Sequence, residues 1–235
     1  MKTAREKNQA APLQGSLVCE KPQRLQELSG ESETEKGRPS ILLHSCCGPC
    51  STAVIEKLAQ RYSITVYFAN SNIDDEGEYR KRLEAQKKFL DRYNASLDAP
   101  APVALVVAEY RPLAFLKSVE GLEDEPEGRR RCRVCIAGRI EKTAAFAAMN
   151  GFSSFTTTLS VSPHKSYDMI ARAGKEHEVR YGVQFLAEDY KKGNGFGRSV
   201  ELAGKYGLYR QDYCGCRFSK RRDESMDETK ERGGR

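Results

Sequence analysis

Seven of the eight cysteines in this 235-residue chain fall into three tight groups: Cys46-Cys47-x-x-Cys50, Cys132-x-x-Cys135 and Cys214-x-Cys216. The eighth, Cys19, stands alone and reads as an incidental thiol. A Cys-x-x-Cys pair at the start of a helix can place two sulfurs on one metal ion or cluster. Two such contributions from distant segments make a four-thiolate site, a donor set that suits zinc or iron–sulfur. Spacing alone leaves three readings open: structural zinc, an iron–sulfur cluster, and unliganded thiols. Adjacent side chains such as Cys46 and Cys47 are expected to diverge unless the backbone turns sharply, which is awkward around one tetrahedral ion and better suited to a larger cluster. Cys214-Gly215-Cys216 offers a different chemistry. A disulfide between residues two apart closes a small, strained ring that is easy to reduce, and glycine gives the backbone the freedom such a ring needs. The pair is a candidate two-electron redox couple. The plainer readings are two further ligands, or two reduced thiols in a turn.

These groups need elements to position them. The apolar run Ile41-Leu42-Leu43 after Pro39 reads as a buried strand leading into the first cysteine group, and residues 51–61 have helical spacing. The first cysteines therefore lie at a strand-to-helix turn. Further strands are expected at 64–69, 103–107, 152–161 and 183–186, and helices at 76–94, 111–119, 132–150, 165–179 and 199–206. Strands alternating with helices predict an α/β fold, a parallel sheet with helices on both faces. Ligands in such sheets bind beyond the carboxyl ends of the strands. The first cysteine group falls at that edge, and the Cys132 helix and the Thr156-Thr157-Thr158 strand end can converge there.

Residues 1–38 and 220–235 contain no Phe, Tyr or Trp and are rich in charged and polar side chains. Neither segment buries enough apolar surface to offset its ordering entropy, which predicts two disordered tails around a working domain at 39–219. The net charge is +6; each tail carries +1, leaving about +4 on the domain. That excess permits a nucleic-acid partner without demanding one. No run of about 18 apolar residues exists, so no transmembrane helix is expected. The N-terminus lacks the apolar core of a signal peptide. The expected location is the cytoplasm, a reducing compartment where cysteines serve as ligands or redox groups more often than as structural disulfides.

The cysteines sit within a larger ordered pattern. One part is His44-Ser45-Cys46-Cys47-Gly48-Pro49-Cys50-Ser51; the next is Asn70-x-Asn72-Ile73 followed by Glu78-Tyr79-x-x-Arg82. Then come Cys132-x-x-Cys135-x-x-x-Arg139, Phe155-Thr156-Thr157-Thr158-Leu159 with Ser162-Pro163-x-Lys165, and Tyr209-Arg210-Gln211-x-Tyr213-Cys214-Gly215-Cys216. In this order, over roughly 40–219, they resemble the signatures of the epoxyqueuosine reductase (QueH) family. The resemblance implies a HUP-like (adenine nucleotide alpha-hydrolase) parallel sheet. It implies reduction of epoxyqueuosine to queuosine in tRNA, the last step in making that nucleoside. It also implies a [4Fe–4S] cluster, with Cys46, Cys47, Cys132 and Cys135 matching the ligands, and a redox-active disulfide matched by Cys214 and Cys216. A mononuclear iron beside the cluster is a further feature it allows, with Cys50 as candidate ligand. Gly48 stands where the pattern expects alanine and Ile136 where it expects tyrosine, which removes one proton donor. Both departures read as minor for the chemistry.

Converting an epoxide to an alkene takes two electrons and two protons and releases water. The expected division of labour gives electron delivery to the metal centre and storage or relay to Cys214 and Cys216. Tyr213, Tyr209, His44 and Lys165 are candidate proton donors because they neighbour the key motifs. A histidine at a strand end is more often a hydrogen-bonded structural group. Asp74, Asp75 and Glu78 are candidates for substrate hydrogen bonds, although at a helix start they are more often caps. Arg129-Arg130-Arg131-Cys132-Arg133 is the sharpest basic run and a candidate for tRNA phosphate contacts. Its plainer reading is a solvated loop balancing the acidic stretch 123–127, and Arg210, Lys191 and Lys192 are weaker candidates. The electrons must come from a donor that the sequence does not name. Two other functions compete. A non-redox zinc-binding, nucleic-acid-binding protein would use the same thiolates. A tRNA-thiolating enzyme would need a Gly-rich phosphate loop after the first strand, whereas this turn has one glycine and a proline, which removes an amide donor.

Overall fold

The computed structural model describes residues 37–220. The tails expected at 1–38 and 220–235 lie outside the described residues, apart from Gly37, Arg38 and Lys220, and so does Cys19. Five strands, β1 (Ser40–His44), β2 (Ser63–Phe68), β3 (Ala104–Val107), β4 (Ser154–Thr157) and β5 (Gln184–Phe185), form one sheet. Their order is β3-β2-β1-β4-β5 and every pairing is parallel. The helices are α1 (Gly48–Leu58), α2 (Glu76–Asn94), α3 (Pro112–Ser118), α4 (Arg130–Met149), α5 (Tyr167–Tyr181) and α6 (Gly195–Lys205). The α/β reading holds, and the strand order is compatible with a HUP-like sheet. Among the described residues no helix is long and apolar enough to cross a membrane.

A central parallel strand is covered on both faces and so reads as a continuous apolar run. In β1, Ile41 and Leu43 enter a core with Val54, Ile55, Phe89 and Ala203, whereas Leu42 joins Ile140, Ala144, Ile170 and Phe185. Helices α1, α2 and α6 therefore cover one face, and α4 and α5 the other. Each of these fully buried aliphatic side chains contributes roughly 1.5–3 kcal/mol by leaving water, which makes the sheet a rigid base for the loops at its edge.

The strand order reverses between β1 and β4, and that reversal opens a crevice at their carboxyl ends. Residues 45–47 leave β1 there, and Thr158 leaves β4 there. Most boundaries shift by one or two residues; the larger differences are at α1, at the end of β4 and at α6, which begins at Gly195 rather than 199. Helix α1 begins at Gly48 rather than Ser51, because Pro49 presets the first turn, so Cys50 lies inside the helix. The strand expected over 152–161 stops at Thr157, whose hydroxyl accepts from Leu159 N at 3.2 Å and turns residues 158–161 into a 3₁₀ helix.

Candidate metal and redox site

Cys46 and Cys47 occupy the turn between β1 and α1, and Cys50 the first turn of α1. Their sulfurs all lie within 4.8 Å of one another, with Cys46 and Cys47 3.8 Å apart. The adjacent sulfurs thus converge instead of diverging, because the turn is held from several sides. The Ser45 and Ser51 hydroxyls donate to one oxygen, Gln86 Oε1, at 2.6 and 2.8 Å, and Asn70 Nδ2 donates to Ser45 O at 2.8 Å. Gly48 lets α1 lie directly on α2: a Cβ there would sit 2.5 Å from Ala85 O. The alanine expected at this position would not fit that approach, which gives the departure a packing reason. Cys46 N donates to Thr158 Oγ1 at 3.2 Å, and the Thr158 hydroxyl donates to Cys46 Sγ at 3.5 Å. Gln211 Nε2 donates to Cys47 Sγ at 3.0 Å. Hydrogen bonds from Cys47 and Cys50 hold the Cys46 thiol well below its ordinary range. The same bonds push Cys47 up to about 12 and raise Cys50 strongly. The group therefore favours one thiolate, at the positive N-terminal end of α1. A metal ion bound there would displace the other two protons.

Cys132 and Cys135, three residues apart, share one face of the opening turns of α4. Gly128 N donates to Cys132 Sγ at 3.2 Å. Both cysteines line a pocket together with Cys214, Cys216, Arg131, Arg139, Lys165 and Glu127. Burial pushes the Cys135 thiol up to about 11 and raises that of Cys216. Arg139 is buried and its Nε donates to Cys135 O at 3.3 Å; Lys165 is half-buried. Among the described residues, neither cation has a carboxylate within ion-pair distance. Burial disfavours both charges, yet both side chains are held above their ordinary values. For Arg139 the sulfurs of Cys135, Cys214 and Cys46 outweigh burial, and for Lys165 those of Cys214 and Cys46 do so. Enclosed cations without anionic partners are costly. Metal-bound thiolates would supply that negative charge, so the donor set fits a metal–thiolate centre.

Of the expected ligands, Cys46, Cys47 and Cys50 come together at the spacing of a single ion; among the described residues they are the one group of three ligand-type side chains that does. A tetrahedral ion with metal–sulfur bonds of about 2.3 Å sets its sulfurs roughly 3.8 Å apart. Cys132 and Cys135 gather instead with the Cys214–Cys216 pair around the pocket.

The candidate proton donors separate cleanly. His44 Nε2 donates to Ala69 O at 3.3 Å and Nδ1 accepts from the Thr157 hydroxyl at 2.8 Å. Burial, then Arg139, lowers its pKa to about 4, so it is a neutral pin between the ends of β1, β2 and β4. Tyr209 donates to Glu78 at 2.7 Å, and Tyr213 lies outside the pocket lining with its ring 5.2 Å from the Arg82 guanidinium. Burial pushes the Tyr213 phenol up to about 12. Lys165 alone of the four lines the pocket. The three acids are structural: Asp75 caps α2 through Glu78 N, Asp74 pairs with Arg217, and Glu78 pairs with Arg82. The basic run divides too. Arg131 is buried and donates to the carbonyls of Leu122, Glu123 and Glu125, whereas Arg129, Arg130 and Arg133 are exposed. Lys191 pairs with Asp189 at 3.2 Å. Sequence reasoning gave no role to Gln86, Gln211 or Arg139. Arg139 carried a signal, being four residues after Cys135 on one helix face; the two glutamines meet the site only through contacts far apart in sequence.

A family model described as epoxyqueuosine reductase QueH matches residues 41–222. A protein of that name from Streptococcus pyogenes serotype M1 is 44% identical over 195 residues, covering 83% of this chain and 76% of its own length. Proteins of the same name from Staphylococcus epidermidis and Thermotoga maritima are 39% and 34% identical, covering 82% and 98% of their own lengths and 83% of this chain in each case. The match takes in all three cysteine groups and the residues that pin them, and on that basis the chain belongs to the epoxyqueuosine reductase QueH family.

Proposed function

We propose that this chain is an oxidoreductase that reduces epoxyqueuosine to queuosine in tRNA, acting in the cytoplasm. The observation that carries the reading is a pocket lined by four cysteines, three cations (Arg131, Arg139 and Lys165) and one carboxylate, Glu127, with a three-thiol group at the sheet's switch point whose Cys46 acts electrostatically on Arg139 and Lys165. Cys46, Cys47, Cys132 and Cys135 would hold a [4Fe–4S] cluster, and Cys50 would serve a mononuclear iron beside it. Such a centre supplies single electrons and a Lewis acid when bound.

The residues of the chain account for the remainder. Loss of the epoxide oxygen as water consumes two electrons and two protons. Oxidation of the Cys214 and Cys216 thiols to a disulfide releases two electrons and two protons, so the pair balances one turnover. An external electron donor must then return the disulfide to the dithiol. Lys165, charged and lining the pocket, would hydrogen-bond the departing oxygen. Arg129, Arg130 and Arg133, exposed at the start of α4, face solvent where tRNA phosphates would approach. An anticodon-loop base is already single-stranded and enters a pocket without duplex melting.

The zinc-binding alternative is not favoured, because the relatives are named as reductases and that reading gives no use to the Cys214–Cys216 pair. The test is an anaerobic assay on tRNA carrying epoxyqueuosine. The intact chain should form queuosine over many turnovers with a chemical reductant. A double Cys214→Ser, Cys216→Ser variant should stop at or below one turnover, and full multiple turnover in that variant would remove the pair from the mechanism.

A further inference from the structure

Resting on that redox reading, we propose that Arg82 is the positioning residue of the Cys214–Cys216 pair. Arg82 sits mid-helix in α2, 132 residues before Cys214, yet it is 1% exposed. Its guanidinium makes three bonds. Nε donates to Glu78 Oε1 at 2.6 Å, Nη1 to Cys214 O at 3.0 Å, and Nη2 to Tyr213 O at 3.0 Å. The two carbonyls are those of Cys214 and of the residue before it, so the fork fixes the peptide planes on both sides of the Cys214 Cα. The other oxygen of Glu78 accepts from the Tyr209 hydroxyl at 2.7 Å, which binds the start of the same segment to α2.

Gly215 shows how close the grip is. Its φ is +122°, and a Cβ there would meet Ile73 Cγ1 at 2.9 Å and Arg82 Nη1 at 3.1 Å. Glycine is required between the two cysteines both for the backbone conformation and because the arginine lies against it. A planar guanidinium can bind one carboxylate and two carbonyls at once; a lysine ammonium on a flexible stem cannot reproduce that fork. All seven described cysteines are free thiols, so the grip is on the dithiol form. A ring closed between residues two apart strains the Cys214–Gly215 peptide, and Arg82 holds the carbonyl of that peptide in its dithiol position. Arg82 therefore stabilises the dithiol over the disulfide and sets how readily the pair gives up its electrons.

The test is a redox equilibrium on the full, iron-loaded chain in anaerobic glutathione buffers. Glutathione disulfide accepts the electrons, becoming two glutathione thiols as the protein dithiol becomes a disulfide. After alkylation, trypsin cleavage behind Arg210 and Arg217 releases Gln211–Arg217, which contains Cys214 and Cys216 and no other cysteine. Arg82→Ala would strand Glu78 as a buried unpaired charge and endanger folding, so Arg82→Lys, which keeps the charge, is the working variant. Arg82→Lys should favour the disulfide by about tenfold, or about 30 mV, and, because the disulfide is then harder to return to the dithiol, lower kcat with KM for the tRNA unchanged. Tyr209→Phe, which loosens the Glu78 network without touching the fork, should leave the equilibrium constant within about twofold of the parent. An unchanged constant in Arg82→Lys, or an equal shift in Tyr209→Phe, would overturn the assignment. Full multiple turnover in the double serine variant would instead overturn the redox reading beneath it, so the two failures are distinguishable.

Discussion

Gly48→Ala adds one methyl group where two helices meet beside the three-thiol turn. The new Cβ would lie 2.5 Å from Ala85 O, 2.7 Å from Ala85 C and 3.0 Å from Gln86 N. All three are backbone atoms of α2, so no side-chain rotation relieves the clash. Restoring an ordinary 3.4 Å contact requires roughly 0.9 Å of separation between α1 and α2. Overpacking of this kind costs about 1–3 kcal/mol. The gain from replacing glycine by alanine in a helix is at most about 1 kcal/mol, and less in a first turn. A net loss of about 1–2 kcal/mol lowers Tm by about 2–8 °C for a domain of this size. Because Cys47 is joined directly to Gly48, the same displacement pulls on the sulfurs that lie within 4.8 Å of one another, and iron loading should fall with stability. Thermal unfolding of the reduced chain and iron content after anaerobic reconstitution read the two effects. A Gly48→Ala protein that melts at or above the parent and loads iron fully would refute the packing argument.

Other consequences follow from the basic run and from α5. Replacing Arg129, Arg130 and Arg133 together by alanine should weaken tRNA binding and reduce the slope of log affinity against log salt by about 2–3, measured by filter binding across salt concentrations. Arg131→Leu should leave that slope alone but lower unfolding stability by about 2–4 kcal/mol in urea titrations, because three carbonyls lose their donor. Burial lowers the pKa of His177 below the ordinary 6.5. The unfolded chain therefore takes up the proton first, so this residue's contribution is present above about pH 6.5 and is lost as pH falls below it. Comparing the parent with His177→Gln in urea unfolding between pH 7.5 and 5 should show a flatter profile in the variant.

Much of the fold is legible locally. The apolar run at 41–43 marks a strand buried on both faces, and α2 spans Glu76–Asn94 as its charged periodicity and the Asp75 cap indicate. The 3₁₀ turn at 158–161 is hidden, because β-branched threonines favour a strand until a hydroxyl of their own folds the chain back. The site divides in the same way. Cysteine spacing identifies the thiols, but their arrangement depends on Gln86, Thr158 and Gln211, which reach them across 35 to 164 residues of chain. Arg131 is the clearest reversal: within a run of exposed cations, it is the one whose burial makes it a structural tie.

The claim on which the function rests is that these thiols hold iron and sulfide. Anaerobic purification followed by iron, sulfide and zinc analysis, with an absorption spectrum, addresses it directly. About four irons and four sulfides per chain with broad visible absorption is the expected result, with any iron at the Cys50 group adding to that count. A colourless protein containing zinc and no sulfide would contradict it.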